Sequence, residues 1–215
     1  MPTTHPTPPR HWLRQLAAPL MLCAMLAPAD SGAVGLAVQP PASAVLLGEV
    51  ADVAIAIEGL VGAAAPSLGS YELTLSFDPA VVEFVEVLFG DPLLGNQLNT
   101  GGFGTLNGAA AGALGVNMFE VSLDAPDHLN LLQAGSFVLA TVRFRAIGVG
   151  TTGLAIDAAT LLLGDAYAMP LAAALSPGAL TVALVPEPSA AWLFAFGGAV
   201  VGGCLARRRA GSVAR

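Results

Sequence analysis

Tyr71-Glu72-Leu73-Thr74-Leu75-Ser76-Phe77-Asp78 carries an apolar side chain at every odd position and a polar one at every even position. A period of two sustained over eight residues marks a β-strand with one face in a core and the other in water. The same alternation returns on either side. Val53, Ile55 and Ile57 alternate with Asp52, Ala54, Ala56 and Glu58, and Val138, Ala140, Val142 and Phe144 alternate with Leu139, Thr141, Arg143 and Arg145. Less regular runs at 35–39, 81–88, 114–123, 154–158, 160–163 and 180–185 bring the expected total to about nine short strands, the mark of a sandwich or jelly roll. Glu83 and Glu86 fall out of step in 81–88, which predicts a bulge or an exposed edge. No long amphipathic helix is expected.

Residues 90–113 break this rhythm, with Gly95, Gly101, Gly102, Gly104, Gly108 and Gly112 set among Asn, Thr and Ala. So long a loop is uncommon in a compact domain. It reads as a flexible insertion in preference to a binding loop, because small residues dominate it.

The chain has 215 residues, 55% hydrophobic and only 11% charged, against roughly 25% charged in an ordinary soluble domain. The shortfall implies membrane segments, one-sided buried strands, or both. Lysine is absent, and residues 34–186 hold thirteen carboxylates against Arg143 and Arg145. Such a body is repelled by the phosphates of nucleic acid and by anionic lipid surfaces. The same charge also serves solubility alone.

The two ends read as targeting segments. Arg10 and Arg14 precede an apolar run at 16–26, and Ala27-Pro28-Ala29 or Ser31-Gly32-Ala33 supplies small residues for cleavage. Residues 1–33 are therefore expected to be a signal peptide read by signal peptidase. An uncleaved anchor helix is the other reading, weakened by Pro19 and Pro28. Cys23 follows Leu22 where a lipoprotein signal needs a small residue, so a lipid anchor is set aside. The body has no cysteine and can form no internal disulfide.

At the other end, Pro186-Glu187-Pro188 leads into residues 189–206, eighteen residues without a charge, and then Arg207-Arg208-Arg209. That length is the lower limit of a bilayer span. Trp192 falls near one interface, and the arginines stop transfer under the positive-inside rule. This three-part tail, over residues 186–215, resembles the PEP-CTERM sorting signal of Gram-negative bacteria, with Pro186, Glu187 and Pro188 as the triplet. The resemblance implies recognition by a membrane-embedded exosortase, cleavage near the triplet, and delivery from an inner-membrane intermediate to the outer surface or extracellular matrix.

The order of pieces within 34–185 resembles a cohesin domain. Val50 to Gly59 followed by Tyr71 to Pro79 matches that family's early strands and Asp-Pro turn, and Val81-Val82-Glu83-Phe84-Val85-Glu86-Val87 continues the pattern. Gly135 to Ala146 and Gly178-Ala179-Leu180-Thr181-Val182 resemble the later strands. The resemblance implies an all-β, cohesin-like jelly-roll β-sandwich related to carbohydrate-binding modules. Cohesins bind dockerins, but no dockerin contact residue maps onto this chain.

Catalytic chemistry is sparse. His128 is the only histidine of the body, in Asp124-Ala125-Pro126-Asp127-His128, and Asp and Pro there read as a turn. No nucleophile elbow or phosphate-cradling loop accompanies it. Asp124 with Asp127 is too small a set for calcium, and no cofactor is expected. Trp12 and Trp192 lie in the targeting segments, and the body's only tyrosines are Tyr71 and Tyr167, with Tyr71 on the apolar face of its strand. Phe89 and Phe103 are the candidates for exposure in the long loop, so a flat aromatic platform for sugar is not expected. The expectation is a non-enzymatic, exported surface or matrix protein whose domain binds a protein through a sheet face. The alternative is a carbohydrate-binding module acting on extracellular polysaccharide.

Overall fold

In a computed structural model of the chain, the residues described are 34–184, leaving out residue 114. The signal peptide expected at 1–33, the triplet Pro186, Glu187 and Pro188, the helix expected at 189–206 and Arg207, Arg208 and Arg209 lie outside them. Among the described residues no helix is long and apolar enough to cross a membrane.

Two sheets enclose one core. The first is ordered β11 (Ala173–Ser176), β1 (Val34–Gln39), β3 (Val50–Glu58), β8 (Phe137–Ala146) and β5 (Val82–Phe89). The second is ordered β2 (Val45–Leu46), β12 (Gly178–Ala183), β9 (Gly150–Ile156), β4 (Leu68–Ser76), β7 (Gly115–Ser122) and β6 (Thr105–Gly112). β10 (Leu162–Asp165) pairs with the first half of β4 on the same side that β9 pairs with its end. β11 and β12 follow one another across Pro177, so a single extended run passes from one sheet to the other.

The alternating segments behave as their period dictates, with one correction. Leu139 is buried and Val138 is not, because β8 carries Leu139 as an extra residue where its register with β3 shifts between Ile55 and Ala56. Val53, Ile55, Ile57, Leu73, Leu75, Val142 and Phe144 are fully buried between the sheets, and Tyr71 joins them. Arg143, one residue from Val142, lies on the outer face. Phe77 packs on Phe144 with ring centroids 5.0 Å apart and tilted by 60°, a favourable edge-on geometry. The misfit of Glu83 and Glu86 has the anticipated result twice over: β5 is an edge strand, and its register with β8 shifts between Phe84 and Glu86.

Several expectations need correction. There are twelve strands where about nine were read, a short-strand count still typical of sandwiches. The additional ones are β2, β6 and β11. β2 has two residues and β11 four, too short to show a period, and β6 is built from small residues that show no amphipathic alternation. The strands expected at 154–158 and 160–163 lie at Gly150–Ile156 and Leu162–Asp165.

Residues 90–113 are not an unstructured insertion. Their second half is β6, paired over eight residues with β7. Their first half is a loop held by side chains. Asp91 accepts from the N–H groups of Leu93, Leu94 and Val138 at 2.8–2.9 Å. Asn99 Oδ1 accepts from Gly104 N–H at 2.7 Å.

The turn expected at 124–128 opens a short helix, α1 (Pro126–Leu132), with proline in its first turn, where no N–H is needed. Gln133, just past it, is buried. Its side chain accepts from Leu68 N–H at 2.6 Å and donates to Leu68 O at 2.9 Å, so an amide stands in for a neighbouring strand at the start of β4. Among the described residues no buried side-chain nitrogen or oxygen lacks a partner.

Candidate binding face

β7 sets the outer face of the larger sheet by inverting polarity. Val116, Met118 and Glu120 point inward and are buried, while Asn117, Phe119 and Val121 point outward. Glu120 is fully buried and, among the described residues, has no salt-bridge partner. Asn96 Nδ2 donates to its Oε1 at 2.6 Å and Tyr71 Oη donates to its Oε2 at 3.2 Å. Burial, reinforced by the neighbouring carboxylate, raises the Tyr71 pKa far above its ordinary value, so the phenol stays protonated and remains a donor. Two side chains distant in sequence thus satisfy Glu120, and that arrangement puts a phenylalanine on the outside.

Phe119 lies at the centre of an open surface. Across the strands, Gly108, Phe119, Glu72 and Leu162 form one row, and Leu106, Val121, Ser70 and Gly164 the next. A Cβ on Gly108 would meet the Phe119 ring at 2.9 Å, so the ring rests directly over that backbone. Leu106 and Leu162 are well exposed and Val121 partly so. Beside them, Asn117 Nδ2 reaches Glu72 Oε1 and Thr74 Oγ1, each at 3.3 Å. Among the described residues Glu72 has no salt-bridge partner. Ser70, Glu72, Phe119, Val121 and Leu162 also line a shallow hollow. An aromatic anchor, flanking aliphatic groups and an unpaired carboxylate form the pattern of a protein-binding surface.

The outer face of the smaller sheet is different. Arg143 Nε meets Asp52 Oδ1 at 2.8 Å and its Nη1 meets Glu86 Oε1 at 2.7 Å. The guanidinium hydrogen bond holds the Asp52 carboxyl below its ordinary pKa, and the two carboxylates raise that of Arg143. Ala54, Ala56 and Thr141 continue the surface. These three charges satisfy one another, whereas the exposed Arg145, Glu83 and Glu58 have no salt-bridge partner among the described residues.

The remaining sequence candidates are structural. Asp124 accepts from the N–H groups of Gly101 and Phe103 and from Thr100 Oγ1, closing the loop before β6. His128 stacks on Phe103 with centroids 6.2 Å apart. Phe103 is exposed as expected, whereas Phe89 packs against the core. Among the described residues no group of three or more His, Cys, Asp or Glu is placed to hold a metal ion. Sequence reasoning missed Phe119. The available signal was the glycine at 108, which makes room for a ring only if β6 is first recognised as a strand.

No protein-family model and no curated protein matches the chain. Solved structures do. A non-cellulosomal cohesin from the archaeon Archaeoglobus fulgidus superposes with a TM-score of 0.51 at 20% identity, over 74% of this chain and 95% of that one. A type II cohesin from the cellulosome of Acetivibrio cellulolyticus gives 0.54 at 13% identity, over 69% and 95%. The cohesin–dockerin complex of type I from Clostridium thermocellum gives 0.53 at 14%, over 71% and 95%. At these identities the likeness is one of fold, and it covers nearly the whole of each neighbour. Residues 34–184 therefore build a cohesin-like β-sandwich.

Proposed function

We propose that the body is a non-catalytic protein-binding module that docks its partner on the Phe119 face. The observation that carries this reading is the outward Phe119 over Gly108, ringed by Leu106, Val121 and Leu162 and bordered by the unpaired Glu72. The dockerin bound in the Clostridium thermocellum complex makes a small protein module the first partner to test. On this reading the signal peptide and the PEP-CTERM-like tail route the chain through signal peptidase and exosortase to the surface or matrix of a Gram-negative bacterium.

The test uses immobilised residues 34–184, wild type and Phe119→Ala, exposed to the extracellular fraction of the source organism and to any dockerin-like segments its genome encodes. A protein retained by the wild type, lost from the variant and released as salt rises supports the reading, since exposed charges are screened over about 8–10 Å near physiological ionic strength. The outward, half-buried Phe119 ring beside Glu72 and Asn117 also suits stacking on a sugar. Salt-insensitive retention on a purified polysaccharide, with no protein recovered, selects the carbohydrate-binding alternative. Mass spectrometry of the secreted chain checks the routing: a peptide spanning Trp192 to Leu205 in the extracellular fraction rules out removal of the tail.

A further inference from the structure

Four strands end the two sheets, and three of them are protected; β10, four residues long beside β4, is backed by its own return at Gly164↔Pro170 and by Leu171 N–H donating to Leu163 O. β2 offers two residues. β11 offers four and runs into Pro177. β5 is bulged and presents Glu83 and Glu86. Short length, proline, bulges and charge are the devices that stop an edge from pairing with another chain.

β6 has none of them. Its sequence, Thr105-Leu106-Asn107-Gly108-Ala109-Ala110-Ala111-Gly112, contains no charge and no proline. Its register with β7 runs unbroken from Thr105↔Ser122 to Gly112↔Gly115. Leu106, Asn107, Ala109, Ala110, Ala111 and Gly112 are all exposed, so both faces of the strand are open. Among the described residues no strand pairs with its outer side. Leu123 N–H donates to Gly104 O at 3.1 Å, one pair beyond the strand. Because bonded and non-bonded pairs alternate along an antiparallel ladder, the backbone groups of Thr105, Asn107, Ala109 and Ala111 point away from β7.

We propose that β6 is a self-association edge that pairs antiparallel with β6 of a second copy of this chain, joining two larger sheets into one. The occupant follows from chemistry. An edge of Ala and Gly has no side-chain pockets from which a foreign extended peptide would gain specificity. A two-fold pairing needs none, because the same edge supplies both sides. The uncharged strand also lets two acidic bodies meet without placing carboxylates opposite one another, whereas a β5 pair would set glutamates together.

The test is sedimentation equilibrium of residues 34–184, whose two sheets enclose one continuous hydrophobic core of their own, with circular dichroism confirming that the wild type is folded. The wild type is expected to dimerise with concentration. Dimerisation should tighten as salt screens the two acidic bodies, the opposite of the trend expected for partner binding at the Phe119 face. Ala109→Lys, which sets like charges across the edge, and Ala109→Pro, which removes an outward N–H, should each weaken the dimer by at least about tenfold. Circular dichroism checks that both variants fold, and the lysine variant stands if the proline one does not. Ala54→Lys on the smaller sheet should leave the dimer intact. A wild type that stays monomeric, a dimer indifferent to Ala109→Lys, or one broken by Ala54→Lys overturns the proposal.

Discussion

The two sheets share one core yet present opposite exteriors. At the centre of the smaller sheet's outer face Arg143 is shared between Asp52 and Glu86 beside the small Ala54 and Thr141, and the β5 edge is bulged and acidic. On the larger sheet Phe119 faces outward, half-buried over Gly108, Glu72 has no salt-bridge partner among the described residues, and the β6 edge is regular and neutral. The difference teaches that burial alone does not assign function to a sandwich. What separates the centres of the two faces is whether the charges there are already satisfied by one another.

The largest effect should come from the interior common to both. Val142→Asp places an unpaired carboxylate among fully buried side chains and is expected to cost about 4 kcal/mol or more, enough to unfold most domains. A thermal melt followed by circular dichroism reads this directly. A tolerated Val142→Asp would mean that the smaller sheet is registered with its faces exchanged.

Next in size is Phe119→Ala. Removing the central aromatic of an interface costs about 2 kcal/mol or more in binding, roughly thirtyfold in dissociation constant, while the melting temperature should hardly move. Leu88→Ala on the smaller sheet should leave binding unchanged. Equal losses from both would erase the functional distinction between the faces.

The inward positions were the most legible in sequence. Val53 to Ile57, Tyr71 to Phe77 and Ala140 to Phe144 announce their buried faces by strict alternation, and Glu83 with Glu86 announces the bulge, whereas the β8 bulge that buries Leu139 in place of Val138 leaves no such mark. The open face was not legible, for two physical reasons. β6 carries Gly and Ala at both phases, so a period-two pattern has nothing to act on. β7 buries Glu120 and exposes Phe119, against simple polarity, because Asn96 and Tyr71 satisfy the carboxylate from elsewhere in the chain. Neither partner is visible to a local window of sequence.

A third prediction concerns the loop that leaves β5 and enters β6, carrying the chain from the smaller sheet to the larger one. Asp91→Ala removes acceptors for three backbone N–H groups and should destabilise by about 1–3 kcal/mol. Burial pushes the Asp91 pKa up, but the donors Val138, Leu94 and Leu93 outweigh it and hold the pKa below its ordinary value. A depressed carboxylate stabilises the fold above its unfolded pKa of about 3.9 and loses that contribution as pH falls through the folded value. Wild-type stability should therefore decline on acidification below about pH 4, and less steeply in Asp91→Ala. An unchanged acid limb would place the sensitivity elsewhere.

The smallest expected effect is Arg143→Ala. Exposed ion pairs contribute roughly 0–1 kcal/mol, so its melt should nearly match the wild type in 150 mM salt, about one Debye length of screening per 8 Å. Its informative readout is binding: if freeing Asp52 and Glu86 creates a new, salt-sensitive interaction with a basic probe, satisfaction of charge is what keeps the smaller sheet silent.

The run from β11 through Pro177 into β12 has a mechanical meaning. β1 and β11 lie side by side and parallel from Val34↔Ala173 to Ala37↔Ser176, Gly178 follows close against Val38 and Pro40, and β12 then pairs with β2 at Val182↔Val45. The chain therefore enters the sandwich at one end, at Val34, and leaves it at the other, after Ala183. A pull between those two points acts along the strands. It loads the backbone bonds of β1, β11 and β12 in shear, many at once, where a pull from one end would peel them singly. A body with this routing can transmit tension between whatever holds its first strand and whatever holds its last.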